Sequence, residues 1–96
     1  MALTPALTEE LAKTLCPNWD QAEGYAQGAA IEAVAHMARR VLDTAQKMYD
    51  WMEQRNGGPP KYYADLSAED QAVWDGKYSY ITNALEENAA YIRPPS

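Results

Sequence analysis

The chain has 96 residues and a formal net charge of -6, and its composition is 47% hydrophobic and 23% charged. These values exclude an intrinsically disordered chain and predict one folded domain, residues 1–96, with a thin margin of stability. They also argue against direct binding to nucleic acid, because a phosphate backbone requires clustered Lys and Arg. An acidic protein instead favours a partner with a basic surface.

Targeting segments and membrane spans are not visible in the sequence. The first residues lack a charged leader with an apolar core, and no apolar run approaches the roughly eighteen residues of a membrane span. We therefore expect a cytoplasmic protein.

Residues that could carry chemistry are few. The single cysteine, Cys16, precedes Pro17 and is interpreted as a small apolar residue at a helix end. The single histidine, His36, follows Glu32 by four residues, so we expect a solvated ion pair on one helix face rather than a metal site. No glycine-rich phosphate loop or nucleophile–base pair can be identified. The sequence predicts a protein that is not an enzyme and needs no metal and no cofactor.

A short first helix is predicted near the N-terminus. Thr4 suits the N-cap, and Pro5 suits the first helical position. Thr8, followed by two glutamates, is a second candidate start. In both cases the helix runs to about Cys16 and ends at Pro17.

A long helix is predicted over residues 19–55. Asn18 and Gln21 resemble a capping box at its start. A straight helix of that length spans roughly 55 Å, which is too long for a compact monomer of this size. We therefore expect a kink or break, at Gly24 or Gly28.

This long helix carries apolar residues alternately three and four positions apart, the spacing of a helix–helix seam. The seam consists of Ile31, Val34, Ala38, Val41, Ala45, Met48 and Met52. Two interpretations are open: packing in the core of one chain, or an interface between two copies. The second interpretation predicts a homodimer that completes the core.

A loop rich in Gly and Pro follows over residues 56–66, and Ser67 suits the N-cap of a last helix. That helix has a second seam, which consists of Trp74, Tyr78, Ile81, Leu85, Asn88 and Ile92. A β-hairpin over residues 73–81, turning at Asp75-Gly76, is the alternative. The cap and the continuing seam favour helix. The predicted fold is all-α: a short N-terminal helix, a long helix and a C-terminal helix that form a helical hairpin or small bundle.

Aromatic and acidic residues lie together around the start of the last helix. Tyr62 and Tyr63 fall in the loop, and Asp65, Glu69 and Asp70 follow them. Aromatic anchors beside a negative patch suit contact with a basic protein surface. In the alternative interpretation the tyrosines cap the open end of the helix hairpin, and the acids form a solvated face.

The chain is short, acidic, rich in alanine and tyrosine, and without catalytic motifs. In these respects it resembles small phage-encoded inhibitors of bacterial defence, the anti-CRISPR kind. The resemblance rests on size and composition, so it assigns no functional residue. It implies a host–virus interaction in the bacterial cytoplasm, in which the protein binds a CRISPR effector or nuclease and occludes a functional surface. The alternatives are a helical structural adaptor or chaperone, and a dimeric transcriptional accessory factor.

Overall fold

The computed structural model describes residues 3–55 and 59–91, which form four α-helices and no strand. The helices are α1 (Pro5–Leu15), α2 (Gly24–Ala38), α3 (Ala45–Glu53) and α4 (Ala68–Glu87). Two short 3-10 turns, Trp19–Gln21 and Tyr63–Asp65, lie in the connections. The predicted all-α class is confirmed.

Helix α1 begins and ends where the sequence predicts. The Oγ1 atom of Thr4 accepts a hydrogen bond of 3.1 Å from the backbone N–H of Leu7, and Pro5 is the first helical residue. At the other end the N–H of Cys16 donates to the carbonyl of Ala12. Pro17, which has no N–H to donate, prevents a further helical turn.

The predicted capping box before the long helix is wrong. The side chain of Asn18 makes no capping hydrogen bond, and the chain forms only the 3-10 turn after it. The carbonyl of Trp19 instead accepts a hydrogen bond from the side-chain amide of Gln27. Gly24 is the first residue of α2, so it begins a helix rather than breaking one.

The predicted helix over residues 19–55 is interrupted at residues 39–44, and neither Gly24 nor Gly28 forms the break. Arg40 adopts a left-handed conformation with a φ of 62°. Its N–H donates to the carbonyl of Met37, and the N–H of Val41 donates to that of His36. This pair of hydrogen bonds is the Schellman arrangement that terminates helices.

Helix α3 then starts in a new direction. Thr44 accepts a hydrogen bond of 3.1 Å from the N–H of Lys47 through its Oγ1 atom, which caps the new helix. Between the two helices Leu42 turns inward and is buried. The break therefore has two local causes, the left-handed conformation of Arg40 and the N-cap at Thr44. The buried side chain of Leu42 anchors the connecting segment to the core.

The core lies between α1, α2 and the facing sides of α3 and α4. In the described part of the chain, five of its thirteen buried residues are alanine, and the other eight are larger aliphatic side chains or methionine. Its buried members are Leu11, Ala12, Leu15, Ala30, Ala33, Val34, Met37, Ala38, Leu42, Met48, Ile81, Leu85 and Ala90.

The first predicted seam does not lie on one buried face of the molecule. Val34, Ala38 and Met48 are fully buried. Ile31 is 39% exposed and Val41 is 58% exposed, so these two residues are not core.

Helix α4 runs without interruption through Asp75 and Gly76, so the β-hairpin alternative is wrong. Ser67 caps the helix by accepting from the N–H of Asp70 at 3.2 Å, as predicted. Asn88 is exposed at the C-cap, where its side-chain amide donates to the carbonyl of Ala84, so it does not pack in the predicted seam.

The core-facing side of α4 carries most of the second seam. Ile81 and Leu85 are buried, and Trp74 and Tyr78 are partly buried against the core. The predicted last member, Ile92, lies outside the described residues. None of the helices in the described part of the chain is both long and apolar enough to cross a membrane.

Candidate interaction surface

The two neighbouring tyrosines of the predicted binding surface have different environments. Tyr62 is 47% exposed. Tyr63 is partly buried, and its ring packs edge-on against Tyr49 with 6.4 Å between ring centroids. Only Tyr62 is therefore available as an aromatic anchor.

Tyr63 ties the loop to two helices. Its backbone N–H donates to the carboxylate of Asp50 in α3 at 2.8 Å, and its hydroxyl donates to the carboxylate of Asp75 in α4 at 2.6 Å. Its carbonyl accepts from the side-chain amide of Gln71 at 2.9 Å. The hydrogen bond to Asp75, with burial and the charge of that carboxylate, raises the pKa of Tyr63. These contacts support the alternative in which this tyrosine closes the open end of the helices.

The three predicted acids lie at the N-terminal end of α4 and are all exposed. Glu69 and Asp70 occupy its first turn, where negative charge complements the positive end of the helix dipole. Asp65 lies just before the helix, in the 3-10 turn. None of the three forms an ion pair with another described residue, so their charges remain open to solvent.

An exposed row of residues continues from these acids along the whole of α4. Its members are spaced four, three, four, three and four apart, so they share the helix face opposite the core. They are Glu69, Val73, Gly76, Tyr80, Asn83 and Glu87, and we call this row the outward stripe.

The outward stripe holds two large apolar side chains in solvent. Val73 is 52% exposed and Tyr80 is 53% exposed. A side chain added at Gly76, between them, would meet no atom within 4 Å, so the backbone there is open to approach. Neither residue belongs to the surface predicted from the sequence, although two apolar side chains seven positions apart on the polar face of α4 are a signal of it.

The charged members of the outward stripe are all negative. Carboxylates stand at both of its ends, and it contains no Lys or Arg. Within the described residues, Lys47 pairs with Asp43 at 2.8 Å, and three other cations lie over aromatic rings. The nearest of these along α4, Lys77, lies over Trp74 and thus to one side of the stripe.

The predicted dimer-interface residues divide by burial. Val34, Met48, Ile81 and Leu85 are fully buried within one chain, and Met52, Trp74 and Tyr78 pack against the same core. Ile31 and Val41 are the two predicted dimer-interface residues that remain exposed. The homodimer stays a prediction.

His36 is not the solvated residue that the sequence suggested. Its ring packs edge-on against Trp51 at 5.1 Å, and its Nδ1 atom is buried without a hydrogen-bond partner among the described residues. The guanidinium of Arg55 lies over the same Trp51 ring, 3.8 Å from its centroid. Residues 3–55 and 59–91 contain no group of three or more His, Cys, Asp or Glu side chains that could hold a metal ion.

Comparisons with protein-family models, with curated proteins and with solved structures find no significant match to this chain. Its function must therefore be argued from its own surface.

Proposed function

We propose that this protein is an inhibitor that binds another protein and occludes a functional surface of a larger, nucleic-acid-handling bacterial machine, as anti-CRISPR proteins do. The partner is a protein with a basic surface, such as a CRISPR effector or nuclease. The contact is made by Tyr62, Asp65 and Asp70 together with the outward stripe. We call this whole set of residues the acidic–aromatic surface. The protein does not bind nucleic acid directly and has no catalytic role.

One observation carries this proposal: Val73 and Tyr80 stand more than half exposed on a single helix face that has carboxylates at both ends and no cation. An exposed aromatic side chain beside an aliphatic one is the usual core of a protein contact, and the surrounding charges form its rim. A rim of one sign selects a partner of the opposite sign. Surfaces that normally hold a phosphate backbone are basic, so this rim suits them.

The two parts of the surface have separable effects on binding. Tyr80 and Val73 lose solvent contact on binding, so they control how long the complex lasts. Glu69 and Asp70 stay near the rim and act mainly on the rate of encounter, which salt screens. A partner should therefore dissociate faster from Tyr80→Ala at every ionic strength, and associate more slowly with Glu69→Lys/Asp70→Lys mainly at low salt.

The proposal is tested by comparing what the wild type and two variants capture from a bacterial lysate. The surface variant is Val73→Ser/Tyr80→Ala, and the matched control is Ile31→Ser, which removes an exposed apolar residue on α2. We expect a nucleic-acid-handling protein to be captured by the wild type and the control and to be lost by the surface variant. The captured protein should lose nucleic-acid binding or cleavage when the wild type is added.

Two results would contradict the proposal. Equal capture by the surface variant would place the contact elsewhere on the molecule. A captured partner that handles no nucleic acid, and that gains stability in the complex, would instead favour the structural adaptor or chaperone. A plasmid-interference assay in cells that carry the captured effector then measures inhibition directly.

A further inference from the structure

A groove opens on the side of the molecule next to Trp74, away from the outward stripe. It has a volume of about 560 Å³, which is within the range of small-molecule sites. Its walls come from all four helices. The apolar lining includes Leu15, Ala26, Ala29, Tyr49, Met52 and Trp74.

Two aromatic rings form a rigid part of this lining. Tyr49 and Trp74 pack edge-to-face, with 5.0 Å between their centroids and an angle of 65° between their planes. Tyr49 is only 4% exposed, so it is held by the core from below. Burial, with the nearby carboxylate of Glu53, raises the pKa of Tyr49 to about 12.

Lys77 is the cation that faces the groove. Its Nζ atom lies 4.4 Å from the centroid of the Trp74 ring. Lys77 is partly buried and forms no ion pair with any described residue. Burial lowers its pKa, because the ammonium has given up water without gaining a carboxylate. A cation in this state gains from an anionic ligand.

Two carboxylates on the rim limit what that ligand can be. Glu23 and Glu53 also line the groove, so its net formal charge with Lys77 is -1. A ligand with several negative charges, such as a nucleoside triphosphate, would meet repulsion from both glutamates. A single carboxylate can lie against Lys77 while an apolar body fills the space between Trp74, Met52 and the alanines.

We propose that this groove binds a small amphipathic monocarboxylate, with the carboxylate against Lys77 and an aromatic or short aliphatic body against Trp74. The groove is separate from the acidic–aromatic surface, so the proposal does not depend on the inhibitor function. The ligand class follows from one cation that has no carboxylate partner among the described residues, an apolar lining, and two glutamates that disfavour higher negative charge.

The test uses three probes that share one body and differ in charge: 4-phenylbutyrate, 4-phenylbutan-1-ol and 4-phenylbutylamine. Each is titrated into the full-length protein, and the affinity is read from backbone amide shifts at Ala26 and Ala29 and from the indole N–H of Trp74. We expect 4-phenylbutyrate to bind about tenfold more tightly than the alcohol, because it gains a charge-assisted contact. The amine should bind most weakly.

Variants of Lys77 separate charge from shape. Lys77→Met should reduce the affinity for 4-phenylbutyrate to that of the alcohol and leave the alcohol unchanged. Lys77→Arg should keep the preference for the carboxylate. Lys61→Met, which removes an exposed lysine that does not line the groove, is the matched control and should bind all three probes as the wild type does.

Each other outcome would overturn the proposal. Tighter binding of the amine would show that Glu23 and Glu53 dominate and that the groove takes a basic group. Equal binding of all three probes would leave an apolar groove without charge selection. An absence of shifts at Ala26, Ala29 and Trp74 with millimolar 4-phenylbutyrate would show that the groove is not a ligand site.

Discussion

Tyr63 joins the loop to α3 and α4 through its backbone, its hydroxyl and its ring. We expect Tyr63→Ala to lower the melting temperature by several degrees, because the contacts with Tyr49 and Asp75 are lost together. Tyr62→Ala should leave the melting temperature unchanged and weaken only partner binding. Circular dichroism melts of both variants make the comparison. Equal melting temperatures would show that Tyr63 does not hold the loop.

Tyr49 gives the fold a dependence on alkaline pH. Its pKa is raised from 10.0 to about 12. Below pH 10 both folded and unfolded chains hold this proton, so its contribution is constant there. Between about pH 10 and 12 the unfolded chain releases the proton while the folded chain keeps it, so the free energy of unfolding falls, by at most about 2–3 kcal/mol.

Tyr49→Phe should flatten this alkaline decline, because the replaced ring has no proton to release. The measurement is urea unfolding at a series of pH values from 8 to 11. Tyr25→Phe, at an exposed position, is the control and should retain the wild-type slope. A decline in Tyr49→Phe as steep as in the wild type would assign the effect to other groups.

At the scale of helices, the starts of α1 and α4 could be predicted from the sequence, whereas the starts of α2 and α3 and the end of α2 could not. Thr4 and Ser67 cap α1 and α4 as expected, because a hydroxyl side chain before a helix has a specific hydrogen bond to make. The end of α2 was missed because its left-handed residue is Arg40 and not the glycine that usually signals this turn. Gly24 and Gly28, in contrast, were predicted to break the helix, but both lie within α2.

Helix α4 ends in the same way as α2. Ala89 has a φ of 49°, its N–H donates to the carbonyl of Glu86, and the N–H of Ala90 donates to that of Leu85. A Cβ atom in this conformation is unfavourable by roughly 1 kcal/mol. We therefore expect Ala89→Gly to raise the free energy of unfolding by about 0.5–1 kcal/mol.

The same substitution elsewhere on α4 provides the control. Ala72 is exposed in the interior of the helix, where glycine is unfavourable, so Ala72→Gly should lower the free energy of unfolding by about 1 kcal/mol. Urea unfolding of the two variants should therefore give changes of opposite sign. A loss of stability in Ala89→Gly would show that the left-handed turn is not strained.

At the scale of the whole molecule, helical class and much of the core could be predicted because apolar periodicity persists through α2 and α4. The proposed binding surface could be predicted only in part. Tyr62 and Tyr63 are adjacent in an irregular segment, where no periodicity tells which side chain turns inward. Val73 and Tyr80 were not predicted because the second seam defines only the opposite, core-facing side of the same helix.

A substitution at Val41 tests whether two copies of the chain associate. This residue is exposed in the turn between α2 and α3, so a charge placed there meets water in a single chain. We expect Val41→Asp to change the free energy of unfolding of the monomer by less than about 0.5 kcal/mol. Light scattering on the wild type and the variant then measures assembly without a confounding loss of fold. A large drop in stability at low concentration would show that Val41 belongs to the core after all.

The outward stripe also affects how low the pH can fall before copies of the protein begin to associate. The sequence pI is about 4.6, so the net charge of the protein approaches zero as the pH falls toward that value. Molecules without net charge no longer repel one another, and every copy then presents the same bare apolar patch. The same patch then favours contact between copies of the protein, so we expect its colloidal stability to be lowest near the pI.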